Sequence, residues 1–228
     1  RRIDSLIRKN KFNGYYDYFS ALKANKELYN EFINYLTINV SEFYRNPEQW
    51  EVLENDILPQ LISKKVNLKI WSAACSTGDE PYTLAMILNK FIPLNSIKII
   101  ATDIDKEAID KAKAGIYVYK SMEKLPKEYL DKYFIKTGEL YKIKDDLKKC
   151  VEFSRLNLLS DLYPQNCDMI VCRNVLIYFT EEAKNIVYIK ASQALNSGGI
   201  LFVGSTEQII MPGKYNFTPV RTFFYMKT

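Results

Sequence analysis

The sequence contains no histidine among its 228 residues. Histidine is the commonest general base and completes the Ser-His-Asp and Cys-His nucleophile systems, so hydrolases of either kind are excluded. The four cysteines, Cys75, Cys150, Cys167 and Cys172, show no metal-ligand pair spacing. We therefore expect no metal site and a chemistry that proceeds without imidazole.

Two further absences narrow the class of protein. No apolar run reaches the ~18 residues of a membrane span and no signal peptide is visible, so we expect a cytoplasmic protein with free thiols and no direct membrane insertion. The net charge is only +5, lysines and acids are interspersed, and aromatic residues do not cluster with basic ones. We expect no nucleic-acid partner, and a monomer, since no long apolar face is left unexplained.

The first part of the chain is predicted to be helical. Apolar residues recur at helical spacing to about Leu36, with a break near Gly14, so residues 1–37 are predicted to form a small helical domain. Because the sequence opens without Met in the middle of a helical pattern, we expect this domain to be truncated. The connector TINVSEFYRNPEQW then leads into a second domain, residues 38–228, with Pro47 opening its first helix.

Strand and helix patterns alternate from residue 66 onward. We expect strands in VNLKIWS, SIKIIATDID, CDMIVCRN and ILFVGS, helices between them, one of which ends at Gly198-Gly199, and a hairpin in FTPVRTFFYMK. This alternation predicts an α/β fold with a mostly parallel, Rossmann-like sheet and helices on both faces. A polar segment at about residues 133–153 breaks the rhythm and predicts a small antiparallel β insertion.

The stretch WSAACSTGDEP, residues 71–81, marks the expected ligand site, because ligands of such sheets bind at the carboxyl ends of the strands. A dinucleotide-binding turn carries two or three glycines there, whereas this turn has only Gly78. Asp79 and Glu80 could simply cap the following helix, or they could meet an ammonium group. Either way, two acids would repel a phosphate.

The end of the next predicted strand carries Asp103, which could hydrogen-bond ribose hydroxyls. Alternatively, Asp103 or Asp105 caps the next helix, and we assign the ribose to Asp103 and the cap to Asp105. Asn157 and Leu158 of VEFSRLNLL are predicted to end a further strand, where a polar edge and an apolar face could hold adenine. A turn of small residues, an acid for ribose and acids for an ammonium group, with no phosphate site, predict S-adenosyl-L-methionine as the ligand.

Arg173 and Asn174 follow CDMIVC, and Tyr178 lies five residues beyond the arginine. Arg173 indicates either a nearby anion, since its guanidinium fork matches carboxylate geometry, or a structural ion pair with Asp168 or another acid. No Asp/Asn-Pro-Pro-aromatic run, expected of an amine-directed methyltransferase, is present here.

Six motifs, in this order, resemble the chemotaxis receptor protein-glutamate O-methyltransferases: TINVSEFYRN, WSAACSTGDEPYTLAM, ATDID, VEFSRLNLL, CRNVLIYF and LFVGSTEQ. They lie between residues 37 and 208, and the hydrophobic pattern extends the likeness over nearly the whole chain. The resemblance implies a class I methyltransferase fold. It also implies methylation of glutamate side chains on the acidic cytoplasmic helices of chemoreceptors, with S-adenosyl-L-homocysteine as the second product.

The resemblance assigns roles to individual residues. Arg45 and Tyr178 are the implied catalytic residues, which orient the substrate carboxylate. The helix of Arg1, Arg2 and Arg8 would face the receptor, and the insertion at 133–153 matches the family's small β-subdomain. The implied cofactor-binding residues are Asn39, Ser41, Arg45, Glu80, Asp103, Asn157, Leu158, Arg173 and Asn174.

The implied reaction agrees with the missing histidine. A glutamate side chain has a pKa of ~4.3 and is already an anion at neutral pH, so it can attack a methyl sulfonium without a general base. Two alternatives stay open: a methyltransferase of the same fold with another substrate, and an inactive cofactor-binding signalling adaptor, since a fold alone does not establish activity.

Overall fold

The structure is a computed structural model that describes residues 2–36, 41–65 and 67–228. Contacts divide the chain into two compact units, residues 1–40 and 41–228. The smaller unit contains helices α1 (Arg2–Lys9), α2 (Tyr15–Ala24) and α3 (Lys26–Leu36). The expected break near Gly14 is confirmed, and a second break occurs at Asn25, whose side-chain oxygen accepts hydrogen bonds from the first backbone N–H groups of α3.

The larger unit alternates helices with strands. Its helices are α4 (Pro47–Val52), α5 (Leu58–Lys64), α6 (Asp79–Leu88), α7 (Lys106–Ala114), α8 (Lys127–Tyr133), α9 (Asp145–Lys148) and α10 (Glu181–Ala194), and a π-helical turn, Leu53–Ile57, joins the first two. The strands are β1 (Ile70–Ala73), β2 (Ile99–Asp103), β3 (Ile116–Val118), β4 (Phe134–Thr137), β5 (Leu140–Ile143), β6 (Val151–Arg155), β7 (Cys167–Cys172), β8 (Leu195–Val203), β9 (Phe217–Arg221) and β10 (Phe224–Lys227).

Seven strands form the main sheet in the order β6-β2-β1-β7-β8-β10-β9. The first five are parallel, with Ile70 of β1 opposite Ile99 of β2 and Met169 of β7, and β9 and β10 form the expected antiparallel hairpin. The chain leaves the central strand β1 toward β2 on one side and reaches β7 on the other. The crevice of such a sheet lies at this switch point, beyond the carboxyl ends of β1 and β7.

Both faces of the main sheet are covered. Along β1 and β7, alternate side chains point to opposite faces, so Ile70 and Met169 join one hydrophobic cluster while Trp71 and Ile170 join the other. This two-sided burial explains why the parallel strands read as continuous apolar runs. Each fully buried aliphatic side chain contributes roughly 1.5–3 kcal/mol to stability.

Two expectations about element bounds are wrong. The helix predicted to end at Gly198-Gly199 ends at Ala194, because Leu195 is already extended and pairs with Cys167 in the sheet. The small sheet has the order β3-β5-β4, so it includes Ile116–Val118 and ends at Ile143. Residues 151–153, which we expected in the insertion, lie in β6 and pair with β2, where Val151 and Phe153 are buried.

The sequence analysis also made predictions about the cysteines and about membrane-spanning segments. The four cysteines are free thiols and all are buried. Among the described residues, none of the helices combines the length and the hydrophobicity that a membrane span requires.

Candidate functional site

The turn between β1 and α6 is wound tightly against the end of β2. Ala74 and Ser76 both adopt left-handed backbone conformations, with φ of 66° and 48°, which cost a non-glycine residue about 1–2 kcal/mol each. Hydrogen bonds hold this conformation: the N–H of Cys75 donates to Thr102 O at 2.9 Å, and that of Ser76 to Asp103 Oδ2 at 2.8 Å. The turn is therefore fixed before any ligand binds.

Gly78, the single glycine of this turn, serves helix packing. Its φ is +90°, and a Cβ at this position would lie 2.9 Å from Ala112 Cβ on α7 and 3.1 Å from Tyr82 Cε2. The glycine thus allows α6 to approach α7 closely, in addition to supplying the left-handed turn.

Gly78→Ala is expected to destabilise the protein by roughly 2–4 kcal/mol, since the strained φ and the clash with α7 add together. The measurement is the free energy of unfolding in denaturant. Gly138→Ala is the matched control, because Gly138 has a φ of +61° and no atom of the described residues lies within 4 Å of its Cβ position. A loss at Gly78 no larger than that at Gly138 would contradict the packing role.

Asp79 is the most completely buried acid of the site, with 1% of its surface exposed. Its Oδ2 accepts hydrogen bonds from Ser41 Oγ at 2.8 Å and Thr77 Oγ1 at 2.6 Å, whereas its buried Oδ1 has no hydrogen-bond partner among the described residues. Burial raises the pKa of Asp79, and the bonds from Thr77 and Ser41 oppose that shift only in part. An unpartnered buried carboxylate oxygen fits a ligand that brings its own donor, such as an ammonium group.

Glu80 lies beside Asp79 and faces the end of β1. Its Oε1 accepts a hydrogen bond from Ser72 Oγ at 2.8 Å, and its Oε2 lies 3.5 Å from Nη1 of Arg173. Burial raises the pKa of Glu80, although Arg173 and Ser72 both act in the opposite direction. A buried acid and a partly buried acid thus lie side by side, an arrangement that suits a cationic ligand and disfavours a phosphate.

Arg173 is buried at the end of β7, with 4% of its surface exposed, and its partner acid is Glu80. Its Nη2 donates to the backbone oxygen of Arg45 and to Gln49 Oε1, both at 2.8 Å. The guanidinium lies 4.9 Å from the ring centroid of Trp50 and 4.7 Å from that of Phe202.

Of the two interpretations left open for Arg173, the structural ion pair is therefore present, with Glu80 in place of Asp168. Asp168 instead accepts hydrogen bonds from Lys65 Nζ and Asn196 Nδ2. The contact of Arg173 with a cofactor stays a prediction.

Arg45, the expected catalytic arginine, has a firmly anchored backbone. Its carbonyl oxygen accepts a second hydrogen bond, from Trp50 Nε1 at 2.9 Å, in addition to the one from Arg173. The sequence analysis assigned no role to Trp50 and Gln49. Both are buried, and their hydrogen bonds fix the position of the connector. The only sequence signal for them is their position in the predicted helix after Pro47, where an amide and an aromatic side chain indicate a buried face.

At the end of β2, Asp103 accepts two backbone hydrogen bonds, from Ser76 to Oδ2 and from Asp105 to Oδ1 at 2.9 Å. Burial raises the pKa of Asp103 as well. Asp105 accepts from the N–H groups of Glu107 and Ala108 and is the N-cap of α7, as predicted. The neighbouring β6 ends at Arg155, and Asn157 and buried Leu158 follow it in a turn, close to the end of the strand that carries Asp103.

Asn174 and Tyr178 lie in the segment that follows β7, whereas other expected residues lie outside the described part of the chain. Asn174 has a left-handed backbone with φ of 60°, and Tyr178 ends a short 3₁₀ turn, Leu176–Tyr178, with 59% of its surface exposed. Asn39 and Arg1 lie outside the described residues, as does the side chain of Arg2, while Arg8 is exposed on α1. The structure thus brings Ser41, Arg45, Glu80, Arg173 and the turn at 74–78 to one edge of the sheet.

Asp79→Asn is expected to raise the melting temperature of the ligand-free protein at pH 8. An acid whose folded-state pKa lies above its unfolded value of ~3.9 binds more protons when folded, so its contribution to stability declines as pH rises from about 4 through the folded pKa. The gain from asparagine should therefore shrink toward pH 4. Thermal unfolding at several pH values tests this, with exposed Asp110→Asn as the control; an equal gain at every pH would contradict it.

Comparison with known families accounts for this arrangement. The profile described as "CheR methyltransferase, SAM binding domain" matches residues 39–224, and the one described as "CheR methyltransferase, all-alpha domain" matches residues 1–37. The chain belongs to the CheR methyltransferase family. The predicted resemblance, the class I methyltransferase fold and the cofactor S-adenosylmethionine are thereby confirmed.

Three relatives named chemotaxis protein methyltransferase show how far the likeness to other CheR methyltransferases extends. The protein from Listeria monocytogenes is 42% identical over all of this chain and 87% of its own length. The one from Borreliella burgdorferi is 35% identical over 94% of this chain and 83% of its own. The one from Escherichia coli is 34% identical over 83% of this chain and 68% of its own.

Proposed function

We propose that this CheR methyltransferase esterifies glutamate side chains on cytoplasmic helices of chemoreceptors, working in the cytoplasm as a monomer. The proposal rests on which side chains are present at the site. It offers an arginine on an anchored backbone and an exposed tyrosine, and the chain holds no histidine. Such a site can orient a nucleophile that is already ionised, and a carboxylate is one.

The chain's own residues would hold the cofactor at the edge of the sheet. Asp79 and Glu80 would accept hydrogen bonds from its ammonium group, Asp103 from the ribose hydroxyls, and Asn157 and Leu158 would border the adenine. The buried Oδ1 of Asp79 supports this placement, because no donor in the described part of the chain compensates its burial. When bound, S-adenosylmethionine supplies a methyl group on a positively charged sulfur, which a carboxylate oxygen can take directly, with S-adenosyl-L-homocysteine as the second product.

Arg45 and Tyr178 would orient the substrate carboxylate in line with the methyl group. Both are hydrogen-bond donors, so they can hold two oxygens of an anion without removing a proton from it. Good orientation of two reactants contributes roughly 7–11 kcal/mol to lowering a barrier. Neither donor should neutralise the carboxylate fully, because a protonated acid would lose its nucleophilicity.

The decisive experiment is transfer of labelled methyl from S-adenosylmethionine to a purified chemoreceptor cytoplasmic fragment, followed by counting methanol released in mild base. Counts that disappear when the glutamates of the fragment become alanine would establish a carboxyl methyl ester. Counts that resist base would indicate a methyltransferase with another substrate. Cofactor binding without transfer would favour an inactive signalling adaptor.

Asp103→Asn is expected to weaken S-adenosyl-L-homocysteine binding roughly tenfold or more, since a hydrogen bond to a charged group contributes about 1.5–3 kcal/mol. Isothermal titration calorimetry measures this directly. Asp110→Asn, on the exposed side of α7, is the matched control and should leave affinity unchanged. Normal affinity of the Asp103 variant would refute the ribose assignment.

A further inference from the structure

Glu207 follows β8 in the motif LFVGSTEQ, and its carboxylate is buried, with 5% of the residue surface exposed. Its Oε2 accepts backbone hydrogen bonds from Asn174 at 2.7 Å and Gly204 at 2.8 Å. Its Oε1 accepts from Leu176 at 2.7 Å and Ile177 at 3.3 Å. One ionisable side chain thus binds four backbone N–H groups, and hydrogen bonds to charged groups are the strong ones.

Three of these four N–H groups belong to the segment that follows β7. This segment starts with Asn174 in a left-handed conformation and continues into the 3₁₀ turn Leu176–Tyr178. A turn of three residues cannot satisfy the N–H groups at its own start, and its internal hydrogen bonds run only from Tyr178 to Val175 and from Phe179 to Leu176. Glu207 therefore supplies the acceptors that this turn lacks.

A second observation shows that the space for the carboxylate is built into the fold. A Cβ on Gly204 would lie 2.5 Å from Glu207 Oε2 and 2.8 Å from the backbone nitrogen of Asn174. Any side chain at this position would push the carboxylate away from the segment. Gly204 and Glu207 thus act as one unit.

We propose that Glu207 is a positioning residue for methyl transfer: it fixes the backbone from Asn174 to Tyr178 and, through it, the hydroxyl of Tyr178 toward the substrate carboxylate. This inference rests on the proposed function, because it assigns Tyr178 the orienting role. Glu207 itself touches neither substrate nor cofactor. Its effect on the reaction is transmitted by the three N–H groups that it binds.

Amide hydrogen exchange of the intact protein tests the geometry without any activity. The backbone N–H groups of Asn174, Leu176 and Ile177 should be protected in the native protein. In Glu207→Gln, which keeps one acceptor oxygen and replaces the other by a donor, they should exchange at least tenfold faster, while amides of β1 and β7 stay unchanged. Fast exchange in the native protein would overturn the proposal.

A double-mutant cycle tests the effect on catalysis. Tyr178→Phe should lower kcat/KM for the receptor fragment about tenfold in the native background but less than threefold in the Glu207→Gln background. A merely structural role of Glu207 would instead give additive losses, which would overturn the positioning role alone. If the native protein transferred no methyl at all, the proposed function would fall and the positioning role with it, while amide exchange would still report the hydrogen bonds.

Gly204→Ala provides an independent route to the same state, should Glu207→Gln fold poorly. It leaves the carboxylate in the chain but displaces it, so the same amides should lose protection and the same loss of coupling to Tyr178→Phe should appear. Gly213→Ala is the control, because in the part of the chain that the structure describes no atom lies within 4 Å of its Cβ position. Equal behaviour of the two alanine variants would contradict the inference.

Discussion

Arg45→Ala should lower the turnover of methyl transfer roughly 100-fold or more at saturating cofactor and receptor fragment, and should reduce the affinity for S-adenosyl-L-homocysteine much less. A preorganised donor aimed at a reacting oxygen contributes about 2.7–4 kcal/mol to the transition state. The substitution is a clean one, because Trp50 and Arg173 bind the backbone oxygen of Arg45 and hold the chain in place when the side chain is removed.

Steady-state kinetics together with calorimetry on the same preparation separate the two effects. Arg45→Lys is the informative companion, since it keeps the charge but loses the planar fork, and it should recover only part of the turnover. Equal losses in turnover and in cofactor affinity would show that Arg45 merely shapes the cofactor pocket. Unchanged turnover would remove it from the catalytic residues.

The parts of the fold that depend on residues close to one another along the chain could be predicted from the sequence. The helix α7 illustrates this: its N-cap Asp105 and its end at left-handed Gly115 are both local signals, and the structure contains both. The alternation of apolar strands with helices likewise specified a parallel sheet, because only strands covered on both faces are continuously apolar.

Features that depend on distant residues could not be predicted in this way. The sequence showed that Arg173 would need an acceptor, but its partners Glu80, Gln49 and the carbonyl of Arg45 lie 93, 124 and 128 residues away along the chain. Strand β3 was not predicted from the sequence, for a related reason. It has three residues, and only its pairing with β5 defines it.

Local signals also competed with tertiary contacts at two places. The Gly-Gly pair at 198–199 is a strong local helix stop, yet pairing of Leu195 with Cys167 extends β8 back to the end of α10. Both Asp79 and Glu80 were candidates for the ammonium group, and the family resemblance favoured Glu80. The fold strengthens the case for Asp79, because its buried Oδ1 has no partner among the residues that the structure describes.

The second large effect is expected for Arg173→Ala, which should destabilise the protein by about 3–5 kcal/mol, or roughly 10 °C in melting temperature. Removing the guanidinium leaves Glu80 as a partly buried acid without its cation and takes a donor from Gln49 Oε1 and from the carbonyl of Arg45. It also leaves a void beside the rings of Trp50 and Phe202. Arg221→Ala is the control: Arg221 is half exposed, and its 2.7 Å ion pair with Asp56 should contribute less than about 1 kcal/mol.

The pH dependence of the destabilisation by Arg173→Ala distinguishes loss of the ion pair with Glu80 from loss of packing. Arg173 lowers the pKa of Glu80 against the effect of burial, so without Arg173 that pKa should rise further. The destabilisation should therefore be larger at pH 8, where Glu80 must be held as an unpaired anion, than at pH 5, where it can take up a proton. Arg173→Met, which fills the space beside the two rings but carries no charge, should share this pH dependence while losing less stability overall. A loss that is the same at both pH values would assign the role of Arg173 to packing and to the connector alone, and would remove its ion pair with Glu80 from the account of the site.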